Sequence, residues 1–148
     1  MPDTSQRMIF PNLPVEHLDR SVGFFTKLGF TFDERFTDET ATSMIVNDNA
    51  SVMLLVRERF ADFTKKRIVD PKTQIGAIMA LSADSREDVD DFADKALAAG
   101  GSPANEPMDL DFMYARSFHD PDGHQWEIFW MDPKALEQTP AEAGVTGS

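Results

Sequence analysis

The side chains best suited to chemistry lie near the end of the chain, where the pattern predicts two strands joined by a tight turn. The turn spans residues 120–123 and has Asp first, Pro second and Gly fourth, the order that a type I turn prefers. Because side chains alternate between the faces of a strand, Gln125, Glu127 and Phe129 should share one face. A carboxylate among apolar neighbours could move a proton or bind a donor group of a ligand. Glu127 is therefore the candidate catalytic residue.

The three histidines of the chain give weaker signals. His124 follows the turn glycine and is expected at the surface, whereas His119 ends a strand and could hydrogen-bond the backbone of the turn. His17 is interpreted as a helix-start residue. No two histidines are four residues apart, the spacing that would place two imidazoles on one helix face.

The hydrophobic pattern predicts the same set of elements twice. The first set is a strand over 8–15, a helix from Leu18 to Leu28, and strands over 30–37, 41–46 and 51–56. The second set is a strand over 76–83, a helix that begins after Ser85 and ends at Gly100, a weak strand over 102–108, and the two hairpin strands over 112–119 and 125–130.

This order of elements predicts an α+β fold built from two βαβββ modules. A four-stranded sheet with one helix is covered on one face only, so two such sheets can curve their free faces around a shared hollow. We expect a curved mixed sheet around a central cavity, with the helices outside. The chain is predicted to be a single domain, 1–148, with a first module at about 7–57, a linker at about 58–74, a second module at about 75–131 and a flexible tail at 133–148.

Composition narrows the classes of function. The formal net charge is −12, which repels phosphate backbones, so we expect no nucleic-acid partner. No apolar stretch is long enough to cross a bilayer, the first residues do not resemble a signal peptide, and cysteine is absent. These features favour the cytoplasm and no membrane partner. Six basic residues between Arg57 and Lys72 form either a solvated segment or a patch that attracts an anionic small molecule.

Two passages of the sequence resemble one known superfamily. The more specific passage is Asp-Pro-Asp-Gly-His at 120–124, followed by Trp126 and Glu127, and the other is Leu-Pro-Val at 13–15, followed by Leu-Gly-Phe at 28–30. Both resemble the vicinal oxygen chelate superfamily of glyoxalases, bleomycin-resistance proteins and extradiol dioxygenases, over about residues 7–131. One departure is His17, where the family commonly has an aspartate that caps the helix.

The resemblance implies where a metal would be held. Metal-dependent members use inward His and Glu side chains, and the corresponding positions here are Phe10, one of residues 53–55, Ile78 and Glu127. Three of these four positions are apolar and offer no ligand to a divalent ion. We therefore expect no tightly held metal and no other cofactor, with weak metal binding at Glu127 as the alternative. Glyoxalase-type isomerisation and extradiol ring cleavage, which need the ion, would then be absent.

Register along the strands predicts which side chains line the cavity around Glu127. The predicted ligand-binding residues are Phe10, Asn12, Ile78, Ser117, Gln125 and Phe129. A structural alternative ties the Glu127 carboxylate to a neighbouring polar side chain, Asn12, Ser117 or Gln125.

Residues outside this set receive structural interpretations. Tyr114 and Arg116 should face the helices or the rim of the cavity. Arg116 could pair with an acidic neighbour, or anchor a ligand carboxylate if the register slips by one residue. Both tryptophans are expected to pack beneath a helix. Phe60 and Phe63, in the linker, could form a lid over the cavity, form a dimer contact, or pack against the edge of the sheet.

These observations predict a small-molecule binding protein. We expect it to sequester an aromatic or amphiphilic molecule without a tightly held metal, as the resemblance to bleomycin-resistance proteins implies. The alternative is an enzyme, either a metal-dependent lyase, isomerase or dioxygenase that uses Glu127, or an acid–base catalyst that uses Glu127 alone. We also expect a homodimer, because family members usually pair and the sheets leave open edges.

Overall fold

The computed structural model describes residues 6–136 of the chain. Its first half contains β1 (Asn12–Val15), α1 (Leu18–Lys27), β2 (Thr31–Phe32), β3 (Ala41–Asn47), β4 (Ala50–Val56) and α2 (Arg57–Ala61). Its second half contains β5 (Ile78–Ser82), α3 (Arg86–Ala98), β6 (Ser102–Pro103), β7 (Met108–Leu110), β8 (Met113–His119), β9 (Gln125–Met131) and α4 (Pro133–Leu136). The predicted α+β fold with two βαβββ modules is confirmed. Among the described residues, no helix has the length and apolarity that a membrane span requires.

The strands form two mixed sheets with matching topology. The first sheet has the order β1-β4-β3-β2, and the second has the order β5-β9-β8-β6, with β7 also paired to β8. In each sheet the strand before the helix, β1 or β5, runs parallel to the last strand of its module, and the other pairs are antiparallel. The strand that pairs in parallel, β1 or β5, therefore lies at one edge of each sheet.

The two long helices begin and end at the predicted signals. Ser85 accepts a hydrogen bond from the backbone N–H of Asp88 at the start of α3, which is the predicted capping interaction. His17 precedes α1 in an extended conformation and makes no side-chain cap, as expected for a poor capping residue. Gly29 and Gly100 follow the last turns of α1 and α3.

Three segments differ from the predicted elements. The strand expected over 30–37 stops after Phe32, because the Asp33 carboxylate accepts the backbone N–H of Arg35 at 3.0 Å and starts a 3-10 turn over Glu34–Phe36. The weak strand expected over 102–108 is two short strands, β6 and β7. The linker contains α2, and α4 opens the predicted tail, whose residues 137–148 lie outside the described part of the chain.

Helix α1 packs against both sheets. Its Phe25 ring lies 5.0 Å from the indole of Trp126 in β9, and Phe24 lies 6.1 Å from Phe118 in β8, while Leu54 of β4 belongs to the same core cluster. A Cβ at Gly101 would lie 2.8 Å from the carbonyl oxygen of His119 and 2.9 Å from that of Ala96, so the backbone after α3 requires glycine there. Each sheet has one face that points away from the helices, and in one chain these two faces therefore line separate hollows. The sequence did not predict this separation.

Candidate functional site

The face of the second sheet that points away from the helices carries most of the predicted site residues. Cross-strand pairing places side chains in rows, Ser117 beside Glu127 and Ala115 beside Phe129 on β8 and β9. Strand β5 extends these rows, because Ile78 pairs with Gln125 and Ala80 pairs with Glu127. We call this surface the second open face. It brings together five predicted residues: Ile78, Ser117, Gln125, Glu127 and Phe129.

Glu127 lies half-buried on the second open face. A shallow hollow of about 60 Å³ beside it is also lined by Ser117, Glu106 and Met108. The Ser117 hydroxyl oxygen accepts the backbone N–H of Asn105 at 2.8 Å, which fixes its position beside Glu127. Within residues 6–136, the Glu127 carboxylate takes part in no hydrogen bond or ion pair, so the structural alternative of a tie to Asn12, Ser117 or Gln125 is not observed.

The other two predicted residues belong to the first sheet. Asn12 shares a face with Met53 of β4, and its side-chain N–H donates to the backbone oxygen of Phe10 at 2.7 Å. Phe10 is 44% exposed, so its ring is available to other molecules. We call the surface formed by Phe10, Asn12, Met53, Leu55 and Ala41 the first open face. All of these residues except Phe10 line a hollow of about 260 Å³. One chain therefore does not bring Phe10 and Asn12 together with Glu127.

The opposite face of β8 is occupied by helix contacts, as predicted for Tyr114 and Arg116. The Tyr114 hydroxyl donates to the Asp90 carboxylate at 2.7 Å, and Arg116 donates to Asp90 at 3.0 Å and to Asp94 at 2.9 Å. The hydrogen bond from Tyr114, with help from Arg116, lowers the pKa of Asp90, and the same bond raises the pKa of Tyr114. Arg116 is therefore a structural residue, and its predicted alternative as a ligand anchor is not observed.

The acidic turn 120–124 connects the two modules. Asp120 accepts three backbone N–H groups of its own turn and the indole N–H of Trp126, which is fully buried as predicted. Asp122 accepts the Glu16 N–H at 2.8 Å, the Arg20 guanidinium at 3.0 Å and the Ser21 hydroxyl at 3.1 Å. The passage that carried the family resemblance therefore has a structural role up to residue 126.

No histidine lines the hollow that contains Asn12 or the hollow that contains Glu127. The surface position expected for His124 was wrong: its Nε2 lies 2.6 Å from the carbonyl oxygen of Pro14, a contact across 110 residues of sequence that local pattern cannot reveal. His119 lines another hollow, beside Lys72 and Ser102. Neither imidazole shares a described hollow with Glu127.

The donor set does not fit a tightly bound metal. Phe10, Ile78 and the open-face residues of β4, Met53 and Leu55, provide no oxygen or imidazole, so Glu127 is the only ligand side chain among the implied positions. In the described residues, no three His, Cys, Asp or Glu side chains come together in a group that could hold an ion.

Comparison with known proteins identifies the family. A family model described as the Glyoxalase/Bleomycin resistance protein/Dioxygenase superfamily matches residues 7–128. The chain belongs to this superfamily. No curated protein matches the sequence.

Solved structures share the fold of this superfamily member. Hypothetical protein SA1046 from S. aureus is 25% identical, with a TM-score of 0.72 over 84% of this chain and 93% of that one. A glyoxalase/bleomycin resistance protein/dioxygenase family enzyme from Burkholderia phytofirmans PsJN is 17% identical, with a TM-score of 0.69 over 82% and 96%. The fosfomycin resistance protein FosX from Mesorhizobium loti is 13% identical, with a TM-score of 0.64 over 88% and 97%.

Proposed function

We propose that this protein is a homodimer that binds a small aromatic or amphiphilic molecule between the first open face of one protomer and the second open face of its partner. The observation that carries the proposal is the division of the predicted site. Phe10 and Asn12 lie on one open face and Glu127 lies on the other, and one chain leaves Phe10 44% exposed on the first face and Ile78 51% exposed on the second. A two-fold dimer could place the first open face of each protomer opposite the second open face of its partner. Such a dimer would form the complete set of predicted site residues twice, once at each end of the interface.

The exposed apolar side chains support a face-to-face pairing. Ile78 is 51% exposed and Met108 is 51% exposed on the second open face. Contiguous exposed apolar surface marks interaction or ligand-binding surfaces in monomers. A ligand held between two such faces would be shielded from water on both sides.

Within this site, Glu127 and Ser117 would supply the polar recognition. A half-buried carboxylate that has no partner in the described part of the chain is free to accept a hydrogen bond from a ligand. The apolar residues at the former metal positions would pack against the body of the molecule. We propose that binding takes place in the cytoplasm, without a tightly held metal and without a nucleic-acid or membrane partner.

A thermal-shift screen tests the proposal directly. Purified protein is mixed with divalent metals, aromatic antibiotics and glutathione adducts, because a molecule that binds only the native state at about 100 times its Kd stabilises the protein by about 2.7 kcal/mol. Substitution Glu127→Gln should abolish a ligand-dependent shift while changing the free energy of unfolding without ligand by less than about 0.5 kcal/mol.

The matched control is Glu87→Gln, which makes the same change at an exposed position of α3, on the helix side of the second sheet. This variant should keep the full ligand shift. An unchanged ligand shift in Glu127→Gln would count against the proposed role of Glu127. Elemental analysis that finds stoichiometric zinc, nickel, manganese or iron would overturn the metal-free part of the proposal.

The second candidate is an acid–base enzyme. The Glu127 carboxylate favours it, because it lies beside Ser117 and has no partner within residues 6–136. A carboxylate without a structural partner can accept a proton from a bound substrate and return it elsewhere. Turnover that disappears in Glu127→Gln while ligand affinity is retained would support this candidate over simple sequestration. A metal-dependent lyase, isomerase or dioxygenase would require ligands that the implied positions lack.

A further inference from the structure

The hollow on the first open face has an aromatic mouth. Phe36, at the end of the 3-10 turn, and Phe63, after α2, both line this hollow. Phe36 is 55% exposed and Phe63 is 67% exposed, so both rings have a free surface. The sequence singled out Phe63 but not Phe36, because residues 30–37 were expected to form a strand.

A guanidinium group stacks on each of these two rings. The Arg35 guanidinium lies 5.5 Å from the centre of the Phe36 ring, and that of Arg59 lies 4.9 Å from the centre of the Phe63 ring. Such cation–π contacts stabilise the observed position of an exposed ring by about 0.5–1 kcal/mol. The mouth of the hollow therefore has two exposed phenylalanine rings, each stabilised by a neighbouring arginine.

The two guanidinium groups at the mouth are already paired with carboxylates. Arg35 forms an ion pair with Asp33 at 2.7 Å, and Arg59 forms one with Asp62 at 3.0 Å. The Asp38 carboxylate accepts hydrogen bonds from its own loop, including the Thr40 N–H at 2.7 Å. An anionic ligand would have to displace a carboxylate from its arginine, whereas a neutral ligand would not.

The floor of the hollow is apolar apart from one amide. Met53 and Leu55 of β4 form it with Ala41, and Asn12 is its polar group. The hollow has a volume of about 260 Å³, close to the lower end of small-molecule sites, so it suits a compact molecule. The soft thioether of Met53 adapts to the face of an aromatic ring.

We propose that this hollow binds a neutral, planar aromatic ring system of one or two fused rings, held by Phe36 and Phe63. The inference rests on the proposed function and names the chemical class of its ligand. Ring–ring contacts add about 0.5–1.5 kcal/mol each beyond the burial of apolar area. Two such contacts predict that a flat aromatic molecule binds about tenfold more tightly than a saturated molecule of the same skeleton.

The experiment compares 1-naphthol with decahydro-1-naphthol, which has the same carbon skeleton and hydroxyl group but no aromatic ring. Affinities for both are measured by titration calorimetry on the wild-type protein and on a Phe36→Leu/Phe63→Leu double variant, which keeps apolar side chains at the mouth. Phe112→Leu is the control, because Phe112 is also an exposed phenylalanine but does not line this hollow. Size-exclusion chromatography with light scattering follows the oligomeric state of each variant.

The expected result is a preference of about tenfold for 1-naphthol in the wild type and in Phe112→Leu, which the double variant loses without a change in oligomeric state. Equal affinities for the two probes in the wild type would overturn the inference, and a Glu127-dependent shift with other ligands would then leave the proposed function standing. A double variant that dissociates but keeps the preference would also overturn it, since Phe36 and Phe63 would then contact a second copy. If no ligand in either experiment binds, the proposed function fails as well.

Discussion

The two faces of the second sheet use the same strands for different purposes. On the helix side of β8 and β9, Tyr114, Arg116 and Trp126 each have a polar partner from α3 or from the acidic turn. On the open side, one residue away along the same strands, Glu127 has no partner within residues 6–136 and Ser117 only accepts a backbone N–H.

The difference shows how a polar residue can be assigned to fold or to function. A polar group that is buried with its hydrogen bonds made contributes to stability, and its removal leaves a partner unsatisfied. A polar group on an apolar surface with no intramolecular partner costs little to remove and is available to a ligand. Substitutions on the helix side should therefore lower stability, whereas substitutions on the open side should change binding.

The largest effect is expected at the turn that anchors α1. Asp122→Ala should lower the free energy of unfolding by about 3 kcal/mol, because Arg20, Ser21 and the Glu16 N–H lose a common buried acceptor. Urea denaturation followed by tryptophan fluorescence measures the loss. Asp111→Ala, at an exposed position, should change stability by less than about 0.5 kcal/mol. Equal losses of stability in the two variants would contradict the distinction between buried, hydrogen-bonded polar groups and exposed ones.

A backbone effect at the same turn should be slightly smaller. Gly123 has a φ of 102°, and a Cβ there would lie 2.8 Å from the carbonyl oxygen of Pro71 in the linker. Gly123→Ala should therefore cost about 2 kcal/mol in the same denaturation experiment. The control is Gly23→Ala, since Gly23 lies inside α1 with open space around it and should gain about 0.5–1 kcal/mol. If Gly123→Ala left the free energy of unfolding unchanged, the linker would not pack closely against the turn.

The smallest effect concerns the hydrogen bond from Tyr114 to Asp90. Tyr114 is the only tyrosine, so the absorbance of tyrosinate in alkaline solution reports this group alone. Its pKa is raised above the ordinary value of 10.0, mainly by the hydrogen bond to Asp90. The contact therefore stabilises the fold fully below pH 10.0 and is lost as the pH rises through the folded-state pKa.

Asp90→Ala should return the Tyr114 titration towards its ordinary range, whereas Asp91→Ala, at the next position of α3, should leave it unchanged. A wild-type tyrosine that titrates at or below its ordinary value would show that the helix side of β8 is not as closely partnered as the structure indicates.

Local signals predicted much of the fold. The Asp-Pro-Asp-Gly turn gave the register of the last hairpin, and with it the pairing of Ser117 with Glu127, which the structure confirms. Ser85 predicted the start of α3. These features depend on residues close in sequence, where turn and capping preferences are strong.

Contacts between distant residues could not be predicted from pattern alone. The packing of Phe25 against Trp126 places α1 against both sheets and so separates Phe10 and Asn12 from Glu127 in one chain. The aromatic mouth was hidden because the Asp33 side chain starts a 3-10 turn where β-type alternation predicted a strand. The assignment of the predicted ligand-binding residues to one binding site is a proposal that requires a second protomer.

Mixed dimers test the shared site most directly. Asn12→Ala on the first open face and Glu127→Gln on the second are each expected to abolish binding of whichever molecule gives the largest thermal shift. If the site is built from both protomers, equal co-expression of the two variants gives about half mixed dimers, each with one intact site, so about a quarter of the wild-type binding capacity should return. Binding that stays absent in the mixture, while mixed dimers are present, would place each site within a single chain and contradict this account.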